Sequence, residues 1–297
     1  MQGPDPLFAD SKGREVVAPR FGGEPIADTH AHLDMLDDPA LALARAALAG
    51  VGFIATVADV TEDAWRTYQE LGSWQANAAE LLGQMGFNAL VPQVRVVVGA
   101  HPHNAKDYRE DAIQELHRLA AHPLTCAIGE MGLDYHYDHS PRDVQRERFS
   151  DHLRLAHEFG LPGVVHLREA HPDGLAILRE HGVPAAGCIL HCFNLGADVM
   201  EPFLELGCHV SFAGPATFKK AHDVRDAACA VPAGRILTET DCPFMAPEPF
   251  RGRTNEPALV AFTALSLASS RAEQPDEFAR HTYAAAVGLL DTDRSDR

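Results

Sequence analysis

Residues 25–36 read PIADTHAHLDML, a short apolar run that ends on two histidines one residue apart. Side chains alternate between the two faces of an extended strand, so His30 and His32 are predicted to share one face, about 6–7 Å apart along the strand. That spacing suits two ligands of one metal ion, and a hydrogen-bonded histidine pair on a strand is the alternative. The ends of the other apolar runs distinguish the two interpretations.

Eight segments share the pattern of a short run rich in Val, Ile and Leu, bounded by Gly, Pro or polar residues. They lie at residues 25–30, 51–58, 94–101, 124–130, 161–166, 187–192, 208–214 and 235–241, and segments with helical periodicity separate them. Strands that are apolar on both faces and alternate with helices form parallel sheets covered by helices. The sequence therefore predicts an α/β fold, a (β/α)8 TIM barrel. An open doubly wound sheet is less favoured, because no Gly-x-Gly-x-x-Gly follows the first run.

Histidines and carboxylates stand at the ends of six of these runs. In a (β/α)8 barrel the active site lies at the C-terminal ends of the strands, so residues at those ends belong to one pocket. In chain order they are His30, His32, His101, His103, Glu130, His166, His191 and Asp241. Burying such groups unpaired is costly, so a metal site in this pocket accounts for them together.

Six of these residues are predicted metal ligands: His30, His32, Glu130, His166, His191 and Asp241. A tetrahedral ion takes four ligands, which favours two divalent ions that share a water molecule. Glu130 can bridge the ions and Asp241 can accept a proton from that water, so both are predicted catalytic residues. Imidazole-rich ligation favours Zn²⁺, and the carboxylates leave Mn²⁺ or Mg²⁺ open. The reaction that such a site predicts is metal-assisted hydrolysis.

Four residues are candidates for substrate binding: His101, His103, Arg168 and Arg251. Arg168 has the same strand parity as His166 and could hold a phosphate or carboxylate in a bidentate manner. A surface salt bridge with Glu169 or Glu180 is the alternative for this arginine. Capping or ordinary hydrogen bonding is the alternative for the two histidines, and a solvated loop is the alternative for Arg251.

Length and composition indicate a globular domain in a cytosolic protein. The chain has 297 residues, 46% of them hydrophobic, and six scattered cysteines that are expected to be free thiols. No apolar run approaches the roughly 20 residues that cross a membrane, and no basic segment followed by an apolar one marks the N-terminus for export. We expect a single barrel domain over residues 25–297, preceded by an extension over residues 1–24. The oligomeric state stays open.

Taken together, these motifs resemble those of the TatD family of metal-dependent hydrolases, the TatD-type deoxyribonucleases. The matching stretches, in the family's order, are DTHAHLD, VGAHPHNA, AIGEMGLDY, VVHLREA, ILHCFNLG, VSFAGPATFKK and LTETDCPFMAPEPFRGRTNEP. The resemblance implies an amidohydrolase-like barrel with two metal ions on the same six ligands, with Glu130 as the bridge, and exonuclease or phosphodiesterase activity. The extension over residues 1–24, the long segment over residues 61–89 and the strong acidity depart from the family's pattern.

Three hypotheses for the function follow. The favoured one is a dinuclear metal-dependent hydrolase that cleaves phosphodiester bonds, at DNA ends or in a small phosphodiester. A net charge of −17 repels polyanions at long range, so cations near the site would have to hold a nucleic acid locally. An alternative keeps the site and changes the substrate to a small amide, ester or lactone, which suits the acidic surface better. A non-catalytic metal-binding protein is the third, and the complete ligand set disfavours it.

Overall fold

The computed structural model describes residues 8–10 and 12–291. An antiparallel pair, β1 (Phe8–Ala9) and β2 (Glu15–Val16), precedes a sheet of eight parallel strands. The parallel strands are β3 (Ile26–Ala31), β4 (Val51–Asp59), β5 (Gln93–Gly99), β6 (Thr125–Asp134), β7 (Gly163–Arg168), β8 (Cys188–Leu190), β9 (His209–Phe212) and β10 (Ile236–Thr238). Each strand from β3 to β10 is hydrogen-bonded to the strand that follows it in the sequence.

Helices alternate with these strands throughout the described residues. They are α1 (Pro39–Leu48), α2 (Ala64–Gln84), α3 (Glu110–Ala120), α4 (Arg142–Phe159), α5 (His171–His181), α6 (Ala197–Glu205), α7 (His222–Ala230), α8 (Val260–Ser270) and α9 (Pro275–Leu290). One helix follows each strand from β3 to β10, and α9 is additional. This arrangement confirms the predicted (β/α)8 barrel.

The first and last strands of the sheet, β3 and β10, approach each other and nearly close the barrel. The side chain of Thr238 donates a hydrogen bond to the carbonyl oxygen of Ala27 over 2.8 Å. Just beyond β10, the backbone N–H of Asp241 donates to the carbonyl oxygen of His30, also over 2.8 Å. The nearly closed barrel thus places the predicted ligands of the first and eighth runs side by side.

The core forms two layers that follow the alternation of side chains along the strands. Phe53, Ala55 and Val57 of β4 belong to an inner cluster within the barrel, whereas Ile54 and Ala58 belong to the outer cluster under the helices. Leu289 and Leu290, at the end of α9, pack against the inner cluster. The final helix therefore closes the end of the barrel opposite to the ligands.

The strand bounds differ from those predicted in two places that matter for the site. The fourth run was expected to end at Glu130, but β6 continues to Asp134 because Met131 to Asp134 pair in register with Val165 to Arg168 of β7. The eighth run was expected to reach Asp241, but β10 ends at Thr238. Asp241 has a left-handed backbone with φ of 56°, which takes it out of the extended conformation.

The two segments that depart from the family's pattern lie outside the central cavity or at its edge. Of the extension, Phe8 is buried and packs edge-on against Phe262, with ring centroids 5.2 Å apart. No described residue of the extension lines the cavity, and within residues 61–89 only Glu62 does. The division into an extension and one barrel domain stays a prediction.

Within the described residues, no helix combines the length and the apolar character needed to span a bilayer. The cytosolic location expected from the sequence stays a prediction.

His152 of α4 contacts the backbone just before His101 and makes the stability of the fold dependent on pH. It is buried, its Nε2 accepts a hydrogen bond from the backbone of Ala100 over 3.0 Å, and its Nδ1–H donates to the carbonyl oxygen of Arg148 over 2.8 Å. Burial lowers the pKa of this imidazole, since only the neutral ring can accept and donate at once. Below about pH 6.5 this imidazole takes up a proton in the unfolded chain but not in the folded chain. The free energy of unfolding therefore decreases as the pH is lowered below that value.

We expect His152→Gln to destabilise the protein by about 1–3 kcal/mol at pH 7.5, because buried groups lose their partners. The free-energy difference from wild type should shrink at pH 5.5, where the wild type loses the contribution of the neutral imidazole. Urea unfolding at both pH values, at one metal concentration, measures the difference. His117→Gln, at an exposed position on α3, is the control for removing an imidazole. A difference that widened at the lower pH would contradict the prediction.

Candidate metal centre

Four of the predicted ligands surround one point at the C-terminal end of the barrel. Nε2 of His30 lies 3.2 Å from Oε2 of Glu130 and 3.8 Å from Oδ1 of Asp241. Nε2 of His32 lies 3.5 Å from Oδ1 of Asp241 and 4.0 Å from Oε2 of Glu130. The rings of the two histidines are 5.2 Å apart. The structure therefore brings the histidine pair of the opening motif together with a carboxylate from β6 and one from the turn after β10.

The other oxygen of Glu130 faces a second group of imidazoles. Oε1 of Glu130 lies 2.7 Å from Nδ1 of His166, 2.8 Å from Nε2 of His191 and 3.3 Å from Nε2 of His101. The facing nitrogens of His166 and His191 are 3.2 Å apart. His101, which was predicted to bind substrate, thus contacts the same oxygen of Glu130 as two predicted ligands.

This set of donors fits divalent cations. Imidazole nitrogens and carboxylate oxygens are the ligands of such ions, and here they converge in groups whose donor atoms lie within 4.8 Å of one another, including His30, His32 and Glu130, and His101, Glu130 and His166. Burial alone would raise the pKa of Glu130, but the positive field of His191, His101 and His30 holds it well below its ordinary range. A deprotonated carboxylate with each oxygen in a different group of nitrogens has the geometry of a bridging ligand.

A buried carboxylate lies on the far side of each of two imidazoles. Nε2 of His166 lies 3.3 Å from Oδ2 of Asp134, and Nδ1 of His191 lies 3.4 Å from Oε1 of Glu239. A ring nitrogen that donates to such a carboxylate fixes the tautomer and leaves the other nitrogen as a lone-pair donor. Nδ1 of His166 is therefore available to a metal. Nδ1 of His191 makes no hydrogen bond with a described residue, and Nε2 is the nitrogen of this ring that faces Glu130.

Asp134 was not singled out in the sequence. It also accepts a hydrogen bond from Nε2 of His103 over 2.9 Å and from the backbone N–H of Tyr137 over 2.9 Å. Burial opposes its ionisation, but the hydrogen bonds from His166, Tyr137 and His103 outweigh burial and lower its pKa. The signal in the sequence is that Asp134 has the same strand parity as Glu130 in a run that continues through MGLD.

Asp28 and Asn255 hold the turn that carries Asp241. The fully buried Asp28 accepts hydrogen bonds from the side chain of Thr240 over 2.6 Å and from its backbone N–H over 2.8 Å. Burial raises the pKa of Asp28 to about 8, against the lowering effect of these bonds. Asn255, also fully buried, donates to the carbonyl oxygens of Thr240 and Phe244 over 2.8 and 2.7 Å. Both ends of the turn are thereby fixed to the barrel.

The site lies at the floor of a cavity of about 420 Å³. Six carboxylates line it, and Arg168 is the single arginine or lysine among the described residues that do. The carboxylates are those of Asp34, Asp59, Glu62, Glu130, Asp134 and Asp241. The guanidinium of Arg168 lies 4.6 Å from the ring centroid of Tyr137, and it has no ion-pair partner among the described residues. Glu169, an expected alternative partner, pairs instead with His136 over 2.7 Å.

The other predicted substrate-binding residues differ in position. His101 and His103 line the cavity, with ring centroids 4.3 Å apart. Arg251 does not line it, and its guanidinium lies 4.3 Å from the ring centroid of Phe218. The roles of all four residues in substrate binding stay predictions.

Comparison with known proteins places the chain among metal-dependent hydrolases. The sequence model of the family described as TatD related DNase matches residues 27–291. The metal-dependent hydrolase YcfH of Escherichia coli strain K12 is 36% identical over 279 residues, which cover 91% of this chain and 97% of YcfH. The 3'-5' ssDNA/RNA exonuclease TatD of Pantoea vagans is 34% identical over 186 residues, which cover 61% of this chain and 72% of that protein. The solved structure of the TatD homologue YjjV of Escherichia coli K12 superposes with a TM-score of 0.79 at 26% identity, covering 90% of this chain and 98% of YjjV.

Proposed function

Because the chain belongs to the TatD-related DNase family and is a metal-dependent hydrolase, we propose that it cleaves phosphodiester bonds at the ends of DNA strands. The observation that carries the proposal is the position of Glu130, whose two carboxylate oxygens face separate groups of imidazoles. We propose His30, His32, Glu130 and Asp241 as ligands of one ion, and Glu130, His166 and His191 as ligands of a second. The name of the relative from Pantoea vagans supports a nucleic-acid substrate.

Two divalent ions at this position would polarise a phosphoryl oxygen and lower the pKa of a water molecule between them. Imidazole-rich ligation favours Zn²⁺ as the resident metal, with Mn²⁺ or Mg²⁺ as alternatives. The chain itself supplies the binding geometry, a proton acceptor and a cation for the substrate.

Asp241 is the proposed proton acceptor. Burial opposes its ionisation, but the hydrogen bond from His32 and the charges of His191 and His30 outweigh burial and hold its pKa below its ordinary range. It is therefore deprotonated at neutral pH. Its Oδ1 faces His32 at 3.5 Å, so Oδ2 is the oxygen that would take the proton of the attacking water.

Arg168 is the proposed phosphate contact. Its guanidinium stacks on Tyr137, a geometry that leaves the planar N–H edges free to donate to two oxygens of one phosphate. His101 and His103 are proposed to contact the substrate from the same side of the cavity. Arg251 would reach a substrate only if that substrate extended beyond the cavity.

The experiment that tests the proposal compares the wild type with Asp241→Asn at saturating metal. We expect single-stranded DNA and a small phosphodiester to be hydrolysed by the wild type, and Asp241→Asn to be slower by about 10²- to 10⁴-fold, since general-base catalysis is lost. Metal content measured on both proteins separates a lost ligand from a lost base. Unchanged hydrolysis by Asp241→Asn would contradict the mechanism.

The acidic lining of the cavity favours one second candidate, the hydrolysis of a small neutral ester, amide or lactone. Six carboxylates and a single guanidinium repel a polyanion more than a neutral substrate. Adding a lactone and a simple ester to the same assay distinguishes the two functions. Turnover of these compounds without turnover of either phosphodiester would favour the second candidate.

A further inference from the structure

Large apolar side chains stand exposed around one side of the cavity. Phe244, Met35 and Met245 all line it, and they are 51%, 45% and 36% exposed. We call these three residues the apolar rim. Apolar side chains grouped at the edge of a cavity mark a surface that a ligand can cover.

Hydrogen bonds hold the backbone of Phe244 on both sides, although its ring is exposed. Its backbone N–H donates to the carbonyl oxygen of Asp241 over 2.9 Å, and its carbonyl oxygen accepts from the buried Asn255 over 2.7 Å. Its ring meets the ring of His32 edge-on, with centroids 6.2 Å apart. A flat group lying on the free face of Phe244 would therefore be fixed directly beside the predicted ligands.

The charges of the cavity exclude a phosphate from the apolar rim. Asp34, Asp59, Glu62 and Asp134 line the cavity outside the proposed ligand set, and among the described residues that line it only Arg168 supplies a cationic side chain that stays charged at all pH values. Arg168, at the end of β7, stacks over Tyr137, which lies on the loop after β6. Phe244 follows β10. A neutral group with apolar faces suits the apolar rim and the flat ring of Phe244, and a nucleobase has these properties.

We propose that Phe244 is the stacking platform for the terminal nucleobase of the substrate, with Met35 and Met245 beside it. The proposal rests on the proposed function and makes it more specific. Recognition depends on the stacking of one base and on few phosphate contacts, so the enzyme engages the terminal nucleotide of a strand. This explains how an acidic protein can act on a polyanion.

The test uses two single-stranded substrates, hexathymidylate and the same oligomer with tetrahydrofuran abasic residues in place of both terminal nucleotides. For hexathymidylate, Phe244→Ala is expected to lower kcat/KM by about tenfold through a higher KM, since stacking contributes to binding in ground and transition states alike. For the abasic oligomer, the same substitution is expected to cost about twofold or less, because no terminal base is present to stack. Phe244→Trp should retain the wild-type KM for hexathymidylate.

Phe87→Ala is the matched control, because Phe87 is also 51% exposed but does not line the cavity. A salt titration adds an independent measurement. With about one phosphate contact, kcat/KM of the wild type should fall by about threefold or less between 50 and 200 mM monovalent salt.

Equal losses on the two substrates, or a wild-type KM in Phe244→Ala, would overturn the stacking proposal and leave the proposed function standing. A fall of more than about tenfold over the same salt range would also overturn it, since that steepness requires several phosphate contacts. If the metal-loaded wild type hydrolysed neither oligomer, the proposed function would fail, and the stacking proposal with it.

Discussion

Glu130→Gln is expected to lower the hydrolysis of a small phosphodiester by about 10³-fold or more and to lower the bound metal from the two proposed ions to one or none. The amide keeps the shape of the side chain but removes the charge, and it can offer only one oxygen. One of the two groups of imidazoles would then face an NH2 group. Since Oε1 lies 2.7 Å from His166 and 2.8 Å from His191, the change acts at contact distance.

Elemental analysis of protein purified without added metal gives the metal content, and an assay over a range of metal concentrations gives the activity. Glu169→Gln is the matched control, because Glu169 is an exposed carboxylate that pairs with His136 and does not line the cavity. It should retain the wild-type metal content and activity. Full metal content together with full activity in Glu130→Gln would show that the carboxylate does not bridge two ions.

The barrel could be predicted from the sequence because burial on both faces leaves a strong signal. Runs such as VVVGA at residues 96–100 are apolar without interruption, and such strands occur in parallel sheets under helices. Their ends were less predictable. β6 continues beyond Glu130 because its pairing with β7 stabilises four more residues, and pairing between distant segments cannot be read from the local pattern.

The convergence of the candidate ligands follows from topology and was therefore accessible from the sequence. Residues at the C-terminal ends of barrel strands meet at one mouth, whatever their separation along the chain. Which atoms face each other was not accessible. The approach of His101 to Glu130, and the orienting contact of Asp134 with His166, depend on side-chain directions set by the packed barrel. Phe244 was missed for the same reason, since its exposure arises from a turn fixed by long-range hydrogen bonds.

A second large effect is expected at Gly132, which lies on β6 between Glu130, the proposed bridge, and Asp134. It has φ of +145°, a conformation that side chains other than glycine rarely adopt. A Cβ built there would collide with the backbone carbonyl oxygen of His166 on the neighbouring strand. The contact is with backbone in a hydrogen-bonded pair, so no flexible side chain can move aside to relieve it.

We expect Gly132→Ala to destabilise the protein by about 3 kcal/mol or more, through backbone strain and overpacking together. The relief of the collision must separate β6 from β7, which moves Glu130 away from His166, so metal affinity should fall with stability. Urea unfolding with and without metal measures both effects. Gly72→Ala is the matched control, because Gly72 is exposed within α2 with open space around the position of its Cβ, and the change should stabilise the helix by about 0.5–1 kcal/mol. Wild-type stability in Gly132→Ala would mean that the pairing of β6 with β7 can shift without cost, and the alignment of the two groups of ligands would then need another explanation.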